Sequence, residues 1–224
     1  MDFISIEKSI NLFWLGRYVE RVYRTLCHLE GLFDVLLDTD ETAYVAYCEL
    51  LNIPNCYSSA SDFMSAYLFD ADNPDSVYSN LSRAYDDGLV LRNTISTRSL
   101  AYLQLALDHM DSARQSGAGA LCSIEVVDRL LAFWGSIDEY VSSSQERSLI
   151  KAGRYLERLD MQIRLGESWE RIGVTLGKLE RRLDAARVAY DAGKLRVLKN
   201  FAQLAEDDSE TRSVALETTQ KLLV

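Results

Sequence analysis

An apolar seam near the start of the sequence constrains the fold more than any other feature. Apolar side chains recur there at alternating spacings of three and four residues: Leu12, Leu15, Val19, Val22, Leu26, Leu29, Phe33 and Leu36. Such heptad spacing is typical of one face of a long helix that packs against other helices. We therefore predict a helix over about residues 6–38.

The same periodicity continues to the end of the chain. Further helices are predicted over about residues 41–52, 60–69, 74–94, 97–115, 123–142, 146–168 and 169–191, with one or two more before Val224. Asn73-Pro74 is predicted to start one of them, with Asn73 as the N-cap, and Ser116–Gly119 to end another. The 224 residues contain only two prolines and no convincing alternating strand. The predicted fold is an all-α, antiparallel helical bundle, a single domain over 1–224 with basic helices over about 169–224.

The formal net charge of −10 comes from one segment. Residues 25–82 contain no Lys or Arg and ten acids: Glu30, Asp34, Asp38, Asp40, Glu41, Glu49, Asp62, Asp70, Asp72 and Asp75. Nucleic acids and anionic lipids bind to clusters of Lys and Arg, so the chain is expected to bind neither. Two interpretations of the segment remain, a solvated surface that keeps the protein soluble and a docking face for a basic partner.

A basic stretch balances this acidic segment. Residues 171–199 carry eight bases (Arg171, Lys178, Arg181, Arg182, Arg187, Lys194, Arg196, Lys199) and three acids (Glu180, Asp184, Asp191). Either the two charged segments pack on each other, or each meets a partner.

The reactive residue types show no arrangement typical of a metal or cofactor site. The four cysteines, Cys27, Cys48, Cys56 and Cys122, lack CxxC spacing and are expected to be free thiols in a reducing cytosol. The first residues lack the basic flank and apolar core of a secretion signal, and no apolar run is long enough to span a membrane. The run Gly173–Lys178 resembles a P-loop but has one intervening residue too few. We expect a cytoplasmic protein with no metal, no cofactor and no nucleotide-binding loop.

One hexapeptide occurs twice. Gly16-Arg17-Tyr18-Val19-Glu20-Arg21 recurs 137 residues later as Gly153-Arg154-Tyr155-Leu156-Glu157-Arg158, with five of six residues identical. The apolar seam shifts with it, to Leu149, Ala152, Leu156, Leu159 and Ile163. The repeat predicts two long helices in pseudo-symmetric positions. Because glycine disfavours a helix interior, Gly16 and Gly153 also predict close approach of another helix.

The charged residues of each copy form one polar stripe beside the apolar seam. Spacings of three and four residues align Arg17, Glu20, Arg21 and Arg24 in the first copy, and Arg154, Glu157, Arg158 and Asp160 in the second. One interpretation is that these are interhelical ion pairs that fix the register of two halves. The other is that the arginines bind a carboxylate or phosphate, with glutamate as a general base.

These motifs resemble the alpha-E family, bacterial all-helical proteins named for a glutamate-arginine motif. The resemblance lies in Asn11–Arg21, in Tyr67–Asp70 followed by Asn73–Val77, and in Gly153–Arg158 with Asp160 and Arg164. It implies association with ATP-grasp-type ligases or transglutaminase-like proteins in amide-bond or peptide-modification chemistry. A homo-oligomer is compatible with it.

The central helix departs from the family pattern. Where the family carries an Ala-Arg-Glu-Asn-Ala-Arg-like run, this chain has Ala84–Leu89, with Tyr85, Asp87 and Leu89 at altered positions. Tyr23 and Arg24 likewise replace the Glu and Asn that usually follow the first motif. If the family's site uses those groups, this chain is a specialised member.

Three functions are therefore weighed. The leading one is an accessory protein that binds substrate or partner beside an ATP-grasp-type ligase; the alternatives are an enzyme with Glu20 and Glu157 as acid–base residues and a purely structural scaffold. The candidate ligand-binding residues are Arg17, Tyr18, Arg21, Asn73, Ser76, Arg92, Arg154, Tyr155, Arg158 and Asp160. Without a nucleophile constellation, the sequence favours a protein that is not an enzyme on its own.

Overall fold

A computed structural model describes residues 4–116, 119–204 and 208–223. These residues form eleven α-helices and no β-strand, so the predicted all-α class is confirmed. The helices are α1 (Ile6–Asp38), α2 (Ala43–Leu51), α3 (Ala60–Phe69), α4 (Val77–Val90), α5 (Arg92–Ile95), α6 (Thr97–Ser116), α7 (Gly119–Tyr140), α8 (Ser144–Arg164), α9 (Trp169–Ala186), α10 (Ala192–Leu204) and α11 (Ser209–Gln220).

The helices belong to two compact units. The ER unit, named here for its two glutamate-arginine motifs, takes in the chain up to Glu20 and the segment from Ser143 onwards. The second unit is Arg21–Ser142. The long helix α1 contributes its first part to the ER unit and its remainder to the second unit.

Each unit has its own apolar core. In the ER unit, Leu159, Leu176, Leu179, Leu183 and other side chains of α8 to α11 form one buried cluster. In the second unit, Phe63 is fully buried and its ring contacts those of Tyr44, Tyr47, Tyr57 and Tyr67. The seam of α1 is buried from Leu12 to Leu29, as its heptad spacing predicts.

Several helix ends differ from the predicted ones because local caps override the pattern. The helix predicted from Pro74 begins at Val77, since Ser76 rather than Asn73 is the N-cap and accepts a hydrogen bond from the Ser79 amide. The helix predicted to reach residue 168 ends at Arg164, before Gly166 in the left-handed region (φ 68°). The helix predicted to reach residue 191 ends at Ala186, where Arg187 takes the left-handed C-cap.

Two predictions from the sequence, one on the cysteines and one on a turn, concern residues that lie partly outside the described ones. Cys48 and Cys56 carry free thiols, whereas the Cys122 side chain lies outside the described residues. The turn predicted at Ser116–Gly119 includes residues 117 and 118, which also lie outside them.

Candidate functional site

The two copies of the repeated motif meet where α1 packs against α8. A Cβ added to Gly16 would overlap the carbonyl oxygen of Ile150, and one added to Gly153 would overlap the carbonyl oxygen of Phe13. These overlaps are equivalent, because a shift of 137 residues converts Phe13 and Gly16 into Ile150 and Gly153. Glycine is therefore required at both positions for direct backbone contact, which confirms the predicted close approach.

The two helices run in the same direction. The Nζ of Lys8 donates to Glu146 near the start of each helix, and the Nε of Arg158 donates to Glu20 about three turns further along. Both pairs join residues 138 positions apart, close to the 137-residue repeat. A constant offset in residue number between contacting residues indicates parallel packing. The pseudo-symmetry of the motif therefore relates α1 to α8 by an approximate two-fold rotation about an axis parallel to the helices.

The charged groups of the motif pair across this helix contact. Arg17 donates through Nε and Nη2 to Oε2 of Glu157, each at 2.7 Å. In return Arg154 donates to Oε2 of Glu20 at 3.0 Å. In both copies the first arginine of the motif therefore pairs with the glutamate of the other copy, so the contact occurs twice.

Glu20 also receives a second arginine. The Nε of Arg158 donates to its Oε1 at 2.5 Å, so each carboxylate oxygen of Glu20 has one guanidinium partner. Hydrogen bonds between ionised partners are short and roughly twice as strong as neutral ones. Glu20 therefore sits between two cations of α8 with both oxygens occupied.

Both glutamates are buried, which determines whether their carboxylates can reach a substrate. Glu20 has no exposed surface and Glu157 only 1%, whereas the three arginines keep about a fifth of their side chains exposed. Removing one partner from a buried ion pair costs several kcal/mol, because the other charge stays buried without compensation. The arrangement therefore clamps α1 to α8, and it leaves neither carboxylate an open face toward a substrate.

Aromatic rings flank the clamp at its exposed edges. The guanidinium of Arg17 lies 4.7 Å from the ring centroid of Trp14, and the Trp14 and Tyr18 rings are 5.3 Å apart. On the other helix, the guanidinium groups of Arg154 and Arg158 lie 6.0 and 5.9 Å from the ring of Tyr155. These rings hold the arginines in place through cation–π attraction.

Asp160 and Arg21 of the motif were also predicted as ligand-binding residues. Asp160 pairs with Arg164, one turn along its own helix, at 2.7 Å. Arg21 is the first residue of the second unit. The clamp within the ER unit is therefore built from Arg17, Glu20, Arg154, Glu157 and Arg158.

Asn73, Ser76 and Arg92 belong to the second unit, not to the ER unit. Asn73 accepts from the Asp75 amide and donates to the Tyr57 hydroxyl at 3.0 Å. Ser76 is fully buried and donates to the carbonyl of Asp70 at 2.6 Å. These hydrogen bonds shape the turn that leads into α4, while Arg92 is exposed at the start of α5.

Asn73 lines an acidic cleft of about 290 Å³ together with Asp70, Asp72 and Asp75. Over the described part of the chain, no group of three or more His, Cys, Asp or Glu side chains is arranged to hold a metal ion. None of the described helices combines the length and apolarity needed to cross a bilayer.

The sequence interpretation missed a second group of residues in the ER unit. A cleft of about 390 Å³ is lined by Tyr155 of α8 and by Lys178, Arg181 and Arg182 of α9. The three cations stand at spacings of three and four residues, which places them on one helix face. That spacing was visible in the sequence; the packing of α9 against Tyr155 was not.

Comparison with known proteins agrees with the two motifs. Residues 9–212 match the Alpha-E family, described as a predicted alpha-helical domain with a conserved ER motif. No curated protein and no solved structure matches the chain. Because the match spans both copies of the motif and most of the chain, the protein belongs to the Alpha-E family.

Proposed function

We propose that this protein is an accessory binding protein that acts beside an ATP-grasp-type ligase in amide-bond or peptide-modification chemistry. The observation that carries this proposal is the burial of Glu20 and Glu157 against arginines of the opposite helix. A general acid or base must come within hydrogen-bond distance of a reacting proton. Glutamates held in this way stabilise the packing of α1 against α8. The chain therefore contributes binding surfaces rather than acid–base groups.

The choice of partner rests on the family resemblance, and the charge pattern of the second unit supports it. Nine of the ten acids in residues 25–82 are exposed, and Asp75 is half-buried. The segment itself supplies no Lys or Arg to neutralise them. Complementary charge speeds association and selects the partner, so we expect the contacting face of the ligase to be basic.

Copurification and crosslinking with an ATP-grasp-type ligase from the same organism test the proposal directly. A transglutaminase-like protein from that organism serves as the second candidate. Binding should be tight at low ionic strength and weaken with added salt, because exposed charges are screened. Failure of both partners to associate at any salt concentration contradicts the accessory role.

A charge-matched pair of variants tests the acidic face. Neutralising four exposed acids of the segment together (Asp38→Asn, Asp40→Asn, Glu41→Gln, Asp72→Asn) should weaken partner binding and flatten its salt dependence. The control neutralises four exposed acids elsewhere (Asp108→Asn, Glu170→Gln, Glu210→Gln, Glu217→Gln). Equal affinity of both variants would assign the acidic segment to solvation alone.

A further inference from the structure

The cleft between α8 and α9 gathers positive charge around one tyrosine. Tyr155 shares its walls with Lys178, Arg181 and Arg182. The Nζ of Lys178 lies 5.9 Å from the Tyr155 ring centroid, and Arg154 and Arg158 approach the same ring from the clamp. Three cations therefore approach the Tyr155 ring, and Arg181 and Arg182 line the same cleft.

The three cations of α9 that line the cleft have no carboxylate partner within the described residues. In that part of the chain no ion pair involves Lys178, Arg181 or Arg182, and the Nε of Arg181 donates to the carbonyl of Gly177 instead. The neighbouring acids are engaged elsewhere: Glu180 pairs with Lys199 at 2.6 Å, and Asp184 accepts from the Tyr190 hydroxyl at 2.9 Å. Like charges one turn apart on a helix repel each other, and among the described residues no carboxylate lines the cleft to offset that repulsion.

The hydroxyl of Tyr155 adds a neutral donor to the same wall. It has no hydrogen-bond partner among the described residues. An oxyanion in the cleft would accept from this hydroxyl, from the Lys178 ammonium and from a guanidinium fork of Arg181 or Arg182. The volume of about 390 Å³ lies in the range of small-molecule sites.

From these observations we propose that the cleft lined by Tyr155, Lys178, Arg181 and Arg182 binds a small multiply charged oxyanion, through its phosphoryl or carboxylate groups. Such a ligand would relieve the repulsion along α9 and supply the carboxylate or phosphate partner that these cations lack. This site lies wholly within the ER unit and stands independently of the accessory role, because it requires no protein partner.

Calorimetric titration of the full chain with inorganic pyrophosphate and with citrate, at low ionic strength, tests the site and its chemistry. Saturable binding of pyrophosphate alone assigns it to phosphoryl groups, and of citrate alone to carboxylates; either result supports the proposal. Absence of saturable binding of both probes up to millimolar concentration overturns it.

Two double variants with equal loss of charge show whether binding occurs in this cleft. Lys178→Gln with Arg182→Gln should weaken binding of the probe by at least about tenfold, since two charge-assisted contacts are lost. The control is Lys194→Gln with Lys221→Gln, two cations paired with Asp191 and Glu217 outside the cleft, and should change affinity little. Equal weakening in both variants would reveal a general charge effect and overturn the site.

A third variant tests the tyrosine. Tyr155→Phe removes only the hydroxyl and should weaken binding, whereas the clamp contacts to its ring remain. Unchanged affinity of this variant together with unchanged affinity of the Lys178→Gln, Arg182→Gln variant would place the bound anion elsewhere and refute the proposal. Melting temperatures measured on every variant confirm that each one is folded.

Discussion

Arg17 and Glu157 are 140 residues apart in the chain, yet the Nη2 of one lies 2.7 Å from Oε2 of the other. Arg154 and Glu20 make the equivalent contact with the two helices exchanged. An isologous interface between two subunits has this property, in that each contact occurs twice. Here both sides belong to one chain, so substitutions at equivalent positions should have similar effects.

The glycines of the helix contact give the first prediction. Gly16→Ala and Gly153→Ala should each destabilise the protein by about 2–3 kcal/mol, because the new methyl group forces two backbones apart. Gly31→Ala on the same helix α1 is the matched control. Its added Cβ would meet nothing within 4 Å, so it should stabilise α1 by about 0.5–1 kcal/mol. Urea unfolding of the three variants measures these free energies.

Equal stability of Gly16→Ala and the parent protein would contradict the direct backbone contact. A marked difference between Gly16→Ala and Gly153→Ala would contradict the pseudo-symmetry, although not the contact itself. Gly31→Ala separates both outcomes from the general effect of alanine on helix propensity.

The buried carboxylate gives the second prediction. Glu20→Gln should lower the free energy of unfolding by about 3 kcal/mol, because Arg154 and Arg158 then lose the charge they surround. A double-mutant cycle with Arg154→Gln should show a coupling of about 1–3 kcal/mol. Glu217→Gln, which breaks an exposed pair with Lys221, should leave stability unchanged within error.

Binding measurements on the Glu20→Gln variant distinguish a stabilising role of Glu20 from a role in ligand or partner binding. If Glu20→Gln keeps its full stability but loses affinity for a ligand or partner, the clamp interpretation is wrong and the glutamate is a binding residue. Loss of stability with retained binding supports the clamp. Melting temperature and affinity must therefore be measured on one preparation.

The seam and the repeat predicted the clamp only in part. Heptad spacing identified the buried face of α1, and two glycines at matching positions indicated a close helix neighbour. Neither pattern indicates helix direction, because a seam reads the same for parallel and antiparallel partners. The crossing of the pairs, from Arg17 to Glu157 and from Arg154 to Glu20, depends on that direction and emerged only from the structure.

The helix α4 shows a second limit of prediction from spacing alone. Val77, Leu81, Tyr85 and Leu89 follow one another in α4 at steps of four residues; Val77 and Leu81 are buried, but Leu89 is 41% exposed. Each step of four residues turns about 40° beyond a full helical turn, so the fourth residue has rotated off the face. Gly88 takes its place against Leu100 and Leu103 of α6.

Asp87 of α4 gives the third prediction. Burial, with a smaller contribution from the nearby Asp86 charge, raises the pKa of the Asp87 carboxyl to about 6, and one of its oxygens is buried without a hydrogen-bond partner. Between the unfolded pKa near 3.8 and about 6, the folded state binds a proton that the unfolded state has released. Stability from this group is therefore complete below the lower value and is lost as the pH rises through about 6.

Asp87→Asn should remove this loss and stabilise the protein at neutral pH, since a neutral amide replaces a poorly solvated carboxylate. Thermal unfolding from pH 4 to pH 8 measures the difference between variant and parent. Asp34→Asn, at an exposed position of α1, removes the same formal charge as a control. A difference between parent and Asp87→Asn that does not vary with pH would refute the assignment.

His28 of α1 gives the last prediction, with the opposite sign. Burial, and to a lesser extent the positive charge of Arg24, lowers the pKa of the His28 imidazole below 6.5, and the ring stacks on Tyr47 at 5.3 Å. The unfolded state therefore takes up a proton first, and stability from this group is lost as the pH falls below about 6.5. His28→Gln should remove that acid-side loss, whereas His109→Gln on α6 is the control. Parallel stability curves for the parent and His28→Gln between pH 5 and pH 7.5 would contradict the lowered pKa.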